Sequence, residues 1–329
     1  MSSTPNGPAT MAAVRFHSGG QVAVDTLPVP PCPPGGLLVK TLACGLCSGE
    51  LMGWYMERKA LKGPHVLGHE AVGIVVESDD SRFPIGTQVS PHHHAPCLHC
   101  EYCRRGAFVH CDTWKRSRLD PGGMAEYFAV PAENLADCLA TTGLDTLTAT
   151  LVEPLACVAK QLRRVRYQQG EPACVVGLGA MGLLHALLMP GCTAVEPNPF
   201  RAEWAKKQGV DVKQPNECGG SLCTILCPGS SEALVFALQA TEPGGRIGLF
   251  APLPPGPQPF DFETAYMKDI ELINSYSCGP DDTKQSLEWL TQGKVRGNQI
   301  YTTEVAIADL PAAYHAMRNG EILKAVVRF

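Results

Sequence analysis

The 329-residue chain carries 27 Lys and Arg against 32 Asp and Glu, a formal net charge of −5, with 18% charged and 45% apolar residues. That balance excludes a polyanion binder and a disordered chain, and apolar runs such as LHALLM fall well short of the roughly 20 residues a bilayer demands. Cysteines number 15, an odd count, with no basic n-region and apolar h-region at the start, so a secreted disulfide scaffold is excluded in favour of a reducing, cytoplasmic setting.

In chain order, residues 1–10 are polar and Pro/Gly-bearing and read as a flexible extension. From Met11 to about residue 135, short β-like runs such as LLVKTLA (37–43) and AVGIVVE (71–77) alternate with clusters such as VPPCPPGG, which predicts a mostly β half. Cys47 in GLCSGE, the pair His69 and Glu70 in VLGHEAVG, and Glu153 in LVEPLAC offer a thiolate, an imidazole and carboxylates. That donor set binds zinc while leaving a position open, although each residue taken singly is more often core filler or a satisfied turn. His92, His93 and His94 come next; on an alternating strand His92 and His94 share one face, toward either a substrate cleft or a satisfied surface.

The run CLHCEYCRRGAFVHC then places Cys97, Cys100, Cys103 and Cys111 in a C-x2-C-x2-C-x7-C spacing, from which four thiols can converge on one tetrahedral ion. Four cysteines leave no open position, so this ion braces a loop and is a structural zinc. Lys115, Arg116 and Arg118 after Trp114 form a solvated basic loop or a contact for a substrate anion.

Past about residue 158 the texture changes to strand, Gly turn and helix in alternation, beginning with CVVGLGAMGLLHALLM and TAVEPN; this is a βαβ series with a parallel sheet. Gly177, Gly179 and Gly182 form G-x-G-x-x-G between the strand ACVV and a helix opened by Ala180 and Met181. The first glycine permits the turn, the second lets backbone approach a diphosphate, and the third lets helix pack on strand. Glu196 closes the next strand 19 positions after Gly177, where a carboxylate accepts hydrogen bonds from the adenosine ribose. A 2′-phosphate would face that charge, and neither Pro197 nor Asn198 supplies a cation, which favours NAD over NADP. Arg201 is placed to lie along the adenine.

With these motifs in this order, the sequence resembles the zinc-dependent medium-chain dehydrogenase/reductase family, within it the branch of sorbitol and threonine dehydrogenases. CGLCSGE is similar to the family's catalytic-cysteine turn, GHE to its catalytic histidine and glutamate, the cysteine run to its structural zinc lobe, PGGMAEY to the strand after that lobe, and VEPLAC to the segment with the last ligand. The resemblance spans nearly the whole chain. It implies an α/β architecture, a doubly wound Rossmann parallel sheet plus a mostly β GroES-like catalytic domain with a zinc lobe. The catalytic domain would be discontinuous, at 11–158 and 290–329, around an NAD-binding domain at 159–289.

The resemblance further implies two zinc ions per subunit, the catalytic one held by Cys47, His69 and Glu153, with Glu70 a direct ligand or a group behind them and Cys157 a rival. The implied activity is an NAD-dependent oxidoreductase that moves a hydride between a secondary alcohol and the nicotinamide. Glu153-Pro154, where liver-type alcohol dehydrogenases place a cysteine, turns the expected substrate toward a polyol, sugar or amino-alcohol. Partners would be a small-molecule alcohol or ketone and further copies in a homodimer or homotetramer, with neither nucleic acid nor membrane. Trp54 and Tyr55 would line the pocket or serve as core aromatics.

Two departures from the family stand out. Relatives carry a hydroxyl at the second position after the catalytic cysteine, whereas here Ser48 stands first, Gly49 second, and Met52 replaces a common histidine. Ser48, a substrate hydroxyl or a zinc-linked water is then left to take the substrate proton. Pro190 and Gly191 also end the cofactor helix early. Both leave open an alternative, a catalytically weak NAD- and zinc-binding sensor or scaffold derived from such a dehydrogenase.

Overall fold

In a computed structural model, residues 8–329 are described, and the chain divides into two compact units. One runs up to Glu153 and resumes over Tyr301–Phe329; the other is Pro154–Ile300. Of the expected flexible extension, residues 1–7 lie outside the described residues. Beyond them the Ala9 carbonyl accepts from the Val29 N–H at 3.2 Å, and Thr10 opens the first strand.

The first unit begins with β1 (Thr10–His17), β2 (Gln21–Pro28), β3 (Leu37–Gly45), β4 (His65–Val66), β5 (Glu70–Ser78), β6 (Gln88–Pro91), β7 (Tyr127–Val130) and β8 (Cys138–Ala140). Along β1 the apolar Met11, Ala13, Val14 and Phe16 turn inward, which settles its register against β2 and β4. β3 is central and pairs antiparallel with β5 along its length. Its register sets Gly45, at the end of β3, opposite Glu70, at the start of β5, so the Cys47 turn and the His69-Glu70 pair emerge side by side. A Cβ at Gly45 would collide with the Glu70 carboxylate and the Tyr301 hydroxyl.

The second unit holds β9 (Ala173–Val176), β10 (Thr193–Val195), β11 (Asp211–Lys213), β12 (Ser221–Leu226), β13 (Thr241–Leu249) and β14 (Glu271–Asn274), all parallel in the order β11-β10-β9-β12-β13-β14. Every residue of β9 is buried, as a strand covered on both faces requires. The chain leaves β9 toward β10 and later returns on the opposite side at β12, so the order reverses at β9 and a crevice opens beyond its carboxyl end. There Gly177 adopts φ +85° and donates to the Val195 carbonyl at 2.8 Å. The helix Ala180–Leu188 follows and stops just before Pro190.

The chain then returns to the first unit with β15 (Thr303–Ala306) and β16 (Ala325–Arg328), completing a sheet ordered β15-β16-β3-β5-β6-β8 with β7 also on β3. Its core contains Phe16, Leu37, Leu46, Met56, Leu67, Met124, Phe128 and Tyr314, all fully enclosed. The Rossmann sheet and the β-rich unit match the expected fold class. Among the described residues no helix is long and apolar enough to cross a membrane.

Gly182 is required by close approach, because a Cβ there would overlap the Gly177 carbonyl, whereas at Gly179 nothing lies within 4 Å. Gly182→Ala should therefore destabilise the second unit by about 1–3 kcal/mol, against under about 1 for Gly179→Ala. Urea unfolding of both variants checks this; equal losses contradict it.

Candidate metal and cofactor sites

The four-cysteine run folds around the helical turn Glu101–Arg104 and the turn Phe108–His110. The Sγ atoms of Cys97, Cys100, Cys103 and Cys111 all lie within 4.8 Å of one another, with Cys100 to Cys103 at 3.5 Å and Cys97 to Cys103 at 3.9 Å. Four sulfurs each about 2.3 Å from one tetrahedral zinc stand about 3.8 Å apart, so the donor set fits that ion. A small separate core of Val109, Trp114, Cys103 and Cys111 lies beneath it. The neighbouring cations spend themselves locally: Lys115 on Asp112, Arg116 on Thr113 and Arg118 on the Lys115 and Ser117 carbonyls. All three are exposed.

The second set is built on the turn after β3. Cys47 caps the 3-10 turn Ser48–Leu51, its Sγ accepting from the Gly49 N–H at 3.3 Å. Glu50, only 3% exposed, is the hub: Oε2 accepts from the Cys47 N–H at 3.3 Å, Oε1 from the Gly68 N–H at 2.7 Å, and Oε1 stands 3.2 Å from His69 Nδ1. With Nδ1 engaged, His69 has Nε2 left for an ion, the arrangement in which an outer carboxylate orients a ligating imidazole. Burial works against a charge on His69, but the Cys47 thiol and Glu50 carboxylate outweigh it and raise its pKa well above the usual range.

Ligand atoms of Cys47, His69 and Glu70 lie within 4.8 Å of one another. Thiol, imidazole and carboxylate make a mixed donor set suited to an open zinc site. Glu153, in the first turn of the helix Val152–Arg164, falls in a neighbouring set with His92 and His93, again within 4.8 Å. Ser48, the first residue of the 3-10 turn after Cys47, is exposed.

Glu70 is held from behind by Lys324, the residue just before β16. The ammonium stands 2.6 Å from Oε2 and 2.8 Å from Oε1, and donates to the Leu46 carbonyl at 2.9 Å. Both side chains are at most 1% exposed. Burial alone would neutralise the amine; Glu70, with Cys47 and Glu153 adding, keeps Lys324 charged above its ordinary range.

The three histidines differ from expectation. β6 stops at Pro91, so His92–His94 lie beyond the strand, with the His92 and His94 ring centroids 6.5 Å apart. His92 is buried, its Nδ1 3.0 Å from Asp137 Oδ2 and its Nε2 3.9 Å from Glu153 Oε1. His93 packs against His69, ring centroids 4.8 Å apart. His94 stacks on Trp114 at 4.2 Å and donates from Nδ1 to the Ser117 carbonyl, while burial first and His92 second hold its pKa down at about 3. Trp54 and Tyr55 meet edge-on, beneath Arg58 and Lys59.

In the second unit, Gly179 caps the helix whose first turn contains Ala180, Met181 and Gly182, leaving amides open to a diphosphate. Glu196 is already engaged, accepting from the Leu178 N–H at 2.6 Å and the Asn198 N–H at 2.8 Å, which ties the end of β10 to the glycine turn. The Arg201 backbone N–H donates to the Asn198 side chain. These groups fit a dinucleotide.

Glu50, Asp137 and Lys324 went unassigned in the sequence. Glu50 carried a signal as the acid closing CGLCSGE; the other two carried none, because only tertiary pairing gives them a role.

Comparison with known proteins places these geometries in context. Residues 33–139 match the alcohol dehydrogenase GroES-like domain. The chain is 32% identical to L-threonine 3-dehydrogenase of Pyrococcus horikoshii, covering 96% of this chain and 97% of that one. It is 27% identical to sorbitol dehydrogenase of Halalkalibacterium halodurans, over 94% and 96%. A zinc-binding dehydrogenase of Sinorhizobium meliloti, solved with NADP, superposes with a TM-score of 0.86 at 22% identity, covering 98% and 100%.

Lys324→Met would strand the Glu70 carboxylate in a buried site, and should cost about 3–5 kcal/mol of unfolding free energy. Adding Glu70→Gln should recover part of that loss. Denaturant unfolding of the single and double variants measures it, and additive losses would contradict the pairing.

Proposed function

The chain belongs to the zinc-dependent medium-chain dehydrogenase/reductase family, and on that premise we propose that it is an NAD-dependent dehydrogenase oxidising a secondary alcohol of a polyol, sugar or amino-alcohol, or reducing the matching ketone. The observation that carries this reading is the convergence of Cys47, His69 and Glu70 behind a single orienting carboxylate, Glu50.

In this reading Cys47, His69 and Glu153 hold the catalytic zinc, with Glu70 beside them, and the four-cysteine lobe holds a second, structural ion. Bound there, a catalytic zinc supplies Lewis-acid polarisation of a substrate oxygen, and NAD supplies a hydride acceptor. The protein's own contribution is orientation. Glu50 fixes the Cys47 turn and the His69 ring, Lys324 opposes the upward push of burial on the Glu70 pKa and holds the carboxylate in place, and the Asp137-His92 pair stands behind Glu153. Ser48 receives the substrate proton. Its exposed position lets the proton pass straight to water without a histidine at the Met52 position.

Ser48→Ala should lower alcohol oxidation near neutral pH by at least about 100-fold, leave NAD binding intact, and regain activity at high pH, where hydroxide takes the proton. Glu153→Ala should lose activity at every pH together with one of two zinc ions. Initial rates of NADH formation on a polyol, sugar and amino-alcohol panel, with elemental analysis, test both. No turnover in zinc-replete wild type would overturn the dehydrogenase reading.

Glu196 sets the cofactor. NAD should exceed NADP by at least about tenfold in kcat/KM, or about 1.4 kcal/mol. Glu196→Ala should narrow that gap, and equal use of both cofactors by the wild type would refute it.

A further inference from the structure

Cysteines outside both metal clusters are not all equivalent. Cys174 sits in the middle of the Rossmann sheet on β9, fully buried, and Cys218 sits in the short segment between β11 and β12, half-buried among exposed neighbours. Their sulfurs are 2.9 Å apart across 44 residues of sequence. The Thr193 hydroxyl on β10 lies 3.5 Å from Cys218 Sγ. Cys192 and Cys227, by contrast, point to a carbonyl and to His185.

We propose that Cys174 and Cys218 form an oxidation site, in which Cys218 reacts with hydrogen peroxide and Cys174 resolves the product as an intramolecular disulfide. The two thiols are unequal in the way such a reaction needs. Hydrogen bonding to Cys174, with the Thr193 hydroxyl adding and burial opposing, lowers the Cys218 pKa and favours its thiolate. Donating to Cys218 and lying buried, Cys174 is pushed well up and keeps its proton.

In the first step the Cys218 thiolate attacks one peroxide oxygen, the O–O bond breaks, and hydroxide leaves, giving a sulfenic acid. In the second, Cys174 attacks the Cys218 sulfur, the S–O bond breaks, and the oxygen departs with the Cys174 proton as water. The sum is two thiols and one peroxide giving one disulfide and two waters. Closing the gap to a bond of about 2.05 Å needs less than about 1 Å of sulfur movement, so the backbone of β9 stays in place. The cross-link would enclose β9, the glycine turn, β10 and β11 in one covalent loop. This oxidation is independent of the dehydrogenase reaction.

The test is peptide mapping of the zinc-replete, full-length protein treated with near-stoichiometric hydrogen peroxide, then alkylated and digested without reductant. A Cys174–Cys218 linked peptide that dithiothreitol reverses is the expected result, accompanied by a rise of several degrees in Tm. In Cys174→Ser, Cys218 should instead be trapped by dimedone, and Cys218→Ser should leave Cys174 reduced. Iodoacetamide should also alkylate Cys218 faster than the half-exposed Cys32, whose pKa burial and Glu77 raise. Cys218 carried on to sulfinic acid with Cys174 still a free thiol would overturn the proposal, as would an unreacted pair at peroxide levels that oxidise Cys32. Both readings come from the wild type, so a variant that fails to fold leaves the test decisive.

Discussion

Taking both charges of the Glu70–Lys324 pair out of water is the most demanding thing the first unit does. Each ion loses several kcal/mol of hydration, and the pair survives only if geometry restores it. The restoration is nearly complete: two carboxylate contacts at 2.6 and 2.8 Å and a third donation to the Leu46 carbonyl. Those contacts tie the residue that leads into β16 to the beginning of β5 and to the residue just before Cys47. Gly45 cannot carry a side chain for the same reason, since the carboxylate and the Tyr301 hydroxyl occupy its space. Tyr301 in turn accepts from the Thr150 hydroxyl at 2.9 Å, close in sequence to Glu153.

The same logic repeats around the rest of the donor set. Glu50 stands behind Cys47 and His69, and the Asp137-His92 pair behind Glu153. An ion site that keeps a position open cannot rely on the ion alone to fix its ligands, so outer charges and hydrogen bonds must hold them. The four-cysteine lobe shows the contrast. Its thiols converge with little more than backbone donors, such as Cys97 N–H to Cys111 Sγ at 3.3 Å, over a small apolar core. A closed tetrahedral site orients its own ligands.

In the second unit a backbone contact does comparable work. Glu196 bridges the glycine turn and the start of the next helix through the Leu178 and Asn198 amides. The Glu196 carboxylate is thereby fixed by backbone donors, and the third glycine keeps helix and turn in contact.

Local pattern and spacing made much of this legible. The four cysteines needed only their intervals, because a short loop cannot hold them far apart, and the glycine triplet needed only its strand and helix context. Residue type and resemblance named Cys47, His69, Glu70 and Glu153, although the structure groups Glu153 with His92 and His93 more tightly than with the other three. The histidine run lies beyond its expected strand, which ends at Pro91, a boundary that alternation does not reveal. Lys324 and Asp137 were invisible for a simpler reason: a lysine 254 residues from its glutamate has no local signature, and its role exists only once β16 lies against β3. The sequence by itself determined which chemistry the chain can assemble, since donor types and their short-range spacing are written in it. Which charges stand behind those donors was decided by strand register and burial, because only the folded sheet removes water and forces each buried ion to find a partner.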